Sequence, residues 1–369
     1  MSALAEASQV DALIARLERE PTLALDTEGD GMFRYRTRLC TLQLASADEI
    51  AIVDTLAVDA ARFAALFSAA GPEKVVHDAS FDARLLAASG APLGNVFDTA
   101  IAARYLGYQA TGLASMLASL FEITLPKHMQ MADWGARPLD EEAIAYLEND
   151  VRHLFALRDA LLERVCAAEI EDEVREECAY VLTEAARVEP ERSPFERVKG
   201  GHLRPPRERA RLYELAQARD EIARSLDEPV ARVIANELLI RLAALEAPTL
   251  ADLEKRLSTR VRPFAARLHE TYAIERGDAP AGEPAEHLSP NEIARRKKRR
   301  ALLMELRTAE ATRREVDQQV VLPGHCLQEI VKLPQLNRDT LATIPGLGTA
   351  RLTRYADRWT QELATKWND

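Results

Sequence analysis

Three groups of side chains have the types and spacing for chemistry. The first is Asp26-Thr27-Glu28, which closes an apolar run that reads as a strand. Residues i and i+2 of a strand face the same side, so the two carboxylates can converge on one cation. The second is Asp82 in KVVHDASFDARLL, a strand followed by a helix. Asp82 falls in the first helical turn, where the backbone dipole favours an anion. Asp78 is the natural cap of that helix, which leaves Asp82 for other work. The third is Tyr146 with Asp150, i and i+4 on a helix whose buried stripe is Ile144, Leu147, Val151 and Leu154. Taken alone, that pair reads first as a plain hydrogen bond and only second as part of a reaction.

An EF-hand is a rival reading of the first group. Asp26, Glu28, Asp30 and Gly31 stand at loop positions 1, 3, 5 and 6. The rival fails because position 12 is Thr37 instead of a bidentate glutamate, and because strand sequence precedes the loop.

The elements that must position these groups follow from periodicity. Thr22–Leu25, Leu39–Leu44, Ile50–Val53 and Lys74–Val76 read as strands. Val58–Ala70, Phe81–Ala88, Thr99–Leu106, Leu113–Phe121 and Glu141–Val165 read as helices. Three close strands and then strand–helix alternation predict a mixed α/β sheet covered by helices over residues 1–190. Linkers rich in Pro and Gly are expected at 191–205 and 281–291, bounding all-helical domains at 206–280 and 292–369. The two helical domains read as a divergent repeat at an offset of 88, pairing Val233 with Val321, Leu239 with Leu327, Leu242 with Ile330 and Leu253 with Leu341. Arg219–Leu226 against Glu310–Asp317 is the expected flanking match.

Together the three groups resemble the motifs of the DnaQ-like (DEDD) 3′–5′ exonucleases, in the tyrosine subtype, because Tyr146 stands four residues before Asp150. FRYRTRLCTLQLAS, VFDTAIAARYLG, LPKHMQMADWGARPL and YLENDVRHLFAL resemble the ribonuclease D branch, with Lys127, Gln130, Asp133 and Trp134 fitting its K-x-x-Q-x-x-D-W segment. The helical repeats are similar to the helicase-and-RNase-D C-terminal (HRDC) domain. The resemblance implies a ribonuclease H-like exonuclease fold followed by two HRDC domains. It implies Asp26, Glu28, Asp82 and Asp150 as ligands of two divalent ions, Mg²⁺ or Mn²⁺, and Tyr146 as the group that orients the attacking water. It implies trimming of RNA 3′ ends, with tRNA precursors as substrates and nucleoside 5′-monophosphates as products. A DNA exonuclease of the same superfamily and a non-catalytic RNA-binding module stand as alternatives.

Further candidates flank that set. Phe81 reads as a base-stacking platform or a core aromatic, and His77 as a nucleotide contact or a hydrogen-bonded structural residue. The turn Ile344-Pro345-Gly346-Leu347-Gly348 reads as a phosphate-binding helix N-terminus built on Gly346 and Gly348, or as a tight helix connection.

Composition narrows the field. The chain has 369 residues and a net charge of −11, but residues 291–369 carry 15 basic against 10 acidic side chains. A basic terminal module can hold RNA phosphates although the whole is acidic, so residues 291–369 are the expected RNA contact. Four cysteines lie far apart without a C-x-x-C pair, which argues against a zinc finger, a disulfide framework or a thioredoxin-type motif. No signal peptide and no spanning segment is read, so a cytoplasmic protein is expected.

Overall fold

In the computed structural model, which describes residues 3–126, 129, 131–187, 191–274, 288–363 and 365–367, five strands form one mixed sheet. They are β1 (Thr22–Gly29), β2 (Leu39–Ala45), β3 (Ile50–Asp54), β4 (Glu73–Val76) and β5 (Val96–Asp98). Their order is β3-β2-β1-β4-β5. The three N-terminal strands pair antiparallel, and β4 and β5 run parallel to β1. β1 therefore lies at the centre. It extends past its expected end because Asp26, Thr27 and Glu28 keep their ladder with Gln43, Leu42 and Thr41, and the register shifts only at Gly29. β5 is a strand that periodicity missed, since three residues are too short to show alternation.

The first group of helices is α1 (Ala7–Leu17), α2 (Ala64–Phe67), α3 (Ser80–Ala88), α4 (Thr99–Tyr105), α5 (Leu113–Phe121), α6 (Glu141–Arg152), α7 (Leu154–Ala167) and α8 (Glu171–Ala185). Two expectations change here. The helix expected over Val58–Ala70 is a 3₁₀ turn at Ala60–Phe63 running into the single turn of α2. The helix expected over Glu141–Val165 breaks at His153, a turn residue with φ −104° and ψ 0° that ends α6 and precedes α7. The break lets α6 pack on β1, β2 and β3 while α7 covers β4.

The middle helices are α9 (Pro206–Leu226), α10 (Val230–Val233), α11 (Asn236–Ala243), α12 (Leu250–Glu254) and α13 (Ala265–Glu270). The last are α14 (Pro290–Arg314), α15 (Gln318–Val321), α16 (Gly324–Ile330), α17 (Arg338–Ala342) and α18 (Gly348–Leu363). α10, α11 and α12 start 88 residues before α15, α16 and α17. The same offset relates two internal clamps. Arg211 donates to the carbonyls of Ala243 and Leu245, and Arg299 to those of Val331 and Leu333. Arg219 and Arg307 are likewise equivalent, bonding the Ile234 and Gln318 carbonyls. The expected flanking match is thus three residues out of register. A slip of three keeps apolar positions on nearly the same helix face, which is why sequence alone tolerates it.

The chain forms two compact units, which group the last helical domain with the first and Asp30–Arg38 with the middle one. One comprises Met1–Gly29, Leu39–Arg187 and Leu288–Asp369, and the other Asp30–Arg38 with Val188–His287. In the first, Val320 of α15 shares a core with Phe97, Tyr105, Leu157, Val174 and Cys178. Arg351 of α18 is fully buried, donating to Tyr105 Oη at 3.0 Å and to the Val320 carbonyl at 2.8 Å. The last helical domain is thus part of the body that carries the sheet. In the second unit, the segment between β1 and β2 joins the middle domain: Tyr35 Oη donates to Asp220 at 2.8 Å, and Arg34 pairs with Asp227 at 3.3 Å. Phe195 and Val198, within the expected linker 191–205, are buried in that unit's core. Most of the expected linker 281–291 lies outside the described residues. Among the described residues, no helix is long and apolar enough to cross a membrane.

Candidate active site

Asp26 and Glu28 project from the end of β1, and Asp150 from α6 packed beside it. One carboxylate oxygen of each lies within 4.8 Å of the others. Asp82, in the first turn of α3, is 4% exposed, and its Oδ1 accepts a 2.5 Å hydrogen bond from Thr27 Oγ1. Asp82 stands outside that close triple but within electrostatic reach of it.

The charges are crowded and poorly solvated. Burial, then repulsion from Asp82, Asp150 and Glu28, holds Asp26 well above the usual carboxylate range. Burial with the charges of Asp150 and Asp82 pushes Glu28 up to about 8. Burial is also the leading cause that raises Asp82 and Asp150 to about 7. Carboxylates gathered this way bind protons or cations in preference to standing ionised together. An all-oxygen donor set suits a hard divalent ion, so the residues fit the metal that the sequence motifs imply.

Tyr146 is half-buried one turn before Asp150, and its ring packs on Trp134 at 5.6 Å and 33°. Burial and the charges of Asp150, Glu28 and Asp26 push its phenol further up. It stays protonated, which suits a group that orients rather than one that abstracts a proton.

The helix that carries Asp82 is not held as expected. Asp78 has φ 64° and does not cap α3; the N-cap position is Ala79, without a side-chain bond. Asp98, at the end of β5 and 1% exposed, does the work instead. Its carboxylate accepts the N–H groups of Asp78 at 3.0 Å and Ala79 at 2.8 Å, and those of Ala100 and Ile101 at the start of α4. Sequence reading passed over Asp98, although Asp-Thr before an apolar helix is a capping signal. Asp140 caps α6 by accepting the Ala143 N–H at 2.8 Å.

The flanking candidates separate. Phe81 is 43% exposed beside Asp82, so it is not a core aromatic. His77 bonds Thr99 Oγ1 through Nδ1 at 2.8 Å, and Thr99 in turn donates to the Val76 carbonyl. Burial lowers its pKa. Lys127 and Gln130 lie outside the described residues. Asp133 turns its own loop, accepting the Gly135 N–H at 3.0 Å.

For Gly346 and Gly348 the structure favours the tight helix connection over the phosphate-binding terminus. Both glycines have positive φ, but their turn is no open phosphate cradle. Ala350 N–H, in the first turn of α18, donates to Glu176 Oε1 of α8 at 2.9 Å. A Cβ on Gly348 would collide with the Glu176 carboxylate, and one on Gly346 with His325 and Tyr180. The glycines let α18 dock against α8, and a protein carboxylate already occupies the helix terminus.

Comparison with known proteins adds a second line. Residues 2–165 match a 3′–5′ exonuclease family model, and residues 208–267 and 296–363 each match the HRDC domain. The chain is 33% identical over 272 residues to a ribonuclease D from Gluconacetobacter diazotrophicus, covering 71% of this chain and 67% of that one. It is 34% identical over 262 residues to one from Acidiphilium cryptum, covering 69% and 64%. The chain thus spans about two thirds of the length of these relatives. Among solved structures, Escherichia coli RNase D, described as an exoribonuclease involved in structured RNA processing, superposes over all of both chains with TM-score 0.70 at 22% identity. A Bifidobacterium adolescentis protein superposes with TM-score 0.79 at 19% identity, covering 99% of this chain and 97% of that one. These two likenesses speak to the fold.

Proposed function

The chain belongs to the ribonuclease D family of 3′–5′ exoribonucleases, and we propose that it shortens RNA from the 3′ end, releasing nucleoside 5′-monophosphates. The observation that carries this is the convergence of Asp26, Glu28 and Asp150 within 4.8 Å, with Asp82 and Tyr146 in electrostatic contact with the triple. Asp26, Glu28, Asp82 and Asp150 would hold two divalent cations, Mg²⁺ or Mn²⁺, which supply charge relief at the phosphate and acidify a water molecule. The protein's own part is positional. Thr27 fixes Asp82, Asp98 fixes the turn before it, and the neutral Tyr146 hydroxyl orients the water for in-line attack. Phe81, exposed beside Asp82, would stack on the terminal base.

Precursors of tRNA are the proposed native substrate, on family membership. The four cysteines are free, which fits a reducing cytoplasm. DNA is the second reading, because carboxylates that hold metal do not sense the 2′-hydroxyl. Matched 3′- and 5′-labelled RNA and DNA strands, incubated with Mg²⁺ or with EDTA, test the proposal. We expect labelled mononucleotide from 3′-labelled RNA at once, a stepwise ladder from 5′-labelled RNA, and neither in EDTA. Faster turnover of DNA, internal cuts, or no turnover with Mg²⁺ or Mn²⁺ would each defeat it.

A further inference from the structure

Residues 131–140, ahead of α6, form neither helix nor strand and meet the β3 edge of the sheet at Asp54, and the position of such a segment depends on discrete bonds. Arg137 supplies them. Its Nε and Nη2 donate to the two carboxylate oxygens of Asp54, both at 2.7 Å. Nη2 also donates to the Cys40 carbonyl at 2.8 Å. Nη1 donates to the carbonyls of Trp134 and Ala136 at 2.7 and 2.8 Å. All five guanidinium N–H groups are thereby used. Asp54 ends the edge strand β3, Cys40 lies on its neighbour β2 and Trp134 on the loop, so one side chain ties sheet and loop together. Trp134 is 3% exposed and lies in a core with Ile52, Ile144 and Leu147, where its ring packs against that of Tyr146.

We infer that Arg137, anchored on Asp54, is a positioning residue for the reaction: it fixes Trp134, and Trp134 sets the orientation of the Tyr146 ring and hydroxyl. The inference rests on the reading of Tyr146 as the water-orienting group. Arginine is required because no other side chain presents five donors in one rigid plane, and lysine offers three on a flexible stem. A misplacement of about 1 Å at a reacting group costs up to about 10²-fold in rate.

The test is a double-mutant cycle on the full chain, read by single-turnover rates on 3′-labelled RNA at saturating Mg²⁺. Arg137→Lys alone should slow the chemical step by about 10- to 100-fold, with KM and the Mg²⁺ half-saturation within about twofold of wild type. In the Tyr146→Phe background the same substitution should cost less than about threefold, because the group it positions is already gone. An equal fold-loss in both backgrounds would overturn the inference and leave Arg137 as scaffolding only, as would a wild-type rate for Arg137→Lys. If Arg137→Lys does not fold, Asp54→Asn replaces it in the same cycle, with the same expected coupling and the same overturning results. Tyr146→Phe as fast as wild type would instead remove the premise about Tyr146, so the two failures are distinguishable.

Discussion

Replacing Asp150 by Asn should stabilise the metal-free protein while ending turnover. Burial, followed by the charge of Asp82, raises the Asp150 carboxyl to about 7, whereas an ordinary aspartate ionises near about 4. A folded-state pKa above the unfolded one means that the fold holds the proton more tightly. The stability linked to it is present below about pH 4 and is lost as pH rises through about 7. Each tenfold in proton affinity is about 1.4 kcal/mol, so ionised Asp150 costs the metal-free fold at most about 4 kcal/mol at pH 8. Four carboxylates share the repulsion, so the relief expected from one neutral isostere is about 1–3 kcal/mol, or roughly 2–8 °C in melting temperature. Thermal unfolding in EDTA at pH 5 and pH 8 reads this directly. The variant should melt above wild type at pH 8, and the gap should narrow at pH 5. Mg²⁺ should raise wild type more than the variant, since the variant lacks one anionic ligand. A variant that melts below wild type at pH 8 in EDTA would refute the reasoning. So would turnover within a few-fold of wild type at saturating Mg²⁺.

Other perturbations separate roles in the same way. Tyr146→Phe should keep Mg²⁺ binding and ring packing but slow the single-turnover rate by about 10²-fold or more; an unchanged rate would make the tyrosine structural. Asp98→Ala strands four backbone N–H donors, three of them buried, and should cost about 2–4 kcal/mol in urea unfolding, with a larger loss of activity than of substrate affinity; unchanged turnover would show that the turn before Asp82 holds without it. Deleting residues 288–369 uncovers Tyr105, Val174 and Cys178, so it should lower the melting temperature and cut activity on short RNA as well as on structured RNA; an unchanged melting temperature with full activity on short RNA would show that the domain serves RNA contact alone.

The candidate site was legible because its spacing is imposed by geometry that sequence records. A D-x-E pair converges on one ion where a strand places alternate residues on one face, and Y-x-x-x-D where a helix stacks one turn on the next. What stayed hidden is what holds those groups still. Asp98, Thr27 and Arg137 act through bonds to backbone groups or to residues far away in the chain, and no local period marks such partners. Asp78 misled for a related reason. Residue type and position favoured it as a cap, but the turn before α3 takes a left-handed residue there, and a buried carboxylate 20 residues further on accepts its N–H.

Charge was the feature that composition described least well. Residues 291–369 have an excess of basic side chains, which pointed to phosphate. Their use is largely internal. Arg299, Arg307 and Arg351 are buried against backbone carbonyls. Arg314 and Arg354 both pair with Glu173, which is fully buried on α8. Arg313 and Arg358 share Glu310, and Arg295 and Arg296 share Glu292. A guanidinium serves this purpose because it satisfies several carbonyls at once where a helix ends without a cap. The excess is therefore partly the counter-charge of the acidic α8, whose first turn holds Glu171, Asp172 and Glu173. In the basic run Arg295–Arg300 of α14, Lys297, Lys298 and Arg300 remain exposed, and salt-dependent contact with RNA would act through them. Neutralising these three should flatten the salt dependence of RNA binding without lowering the melting temperature, whereas Arg351→Ala should lower the melting temperature and leave the salt dependence as it was. The reverse pattern would mean that the buried arginines, and not the exposed run, govern contact with RNA.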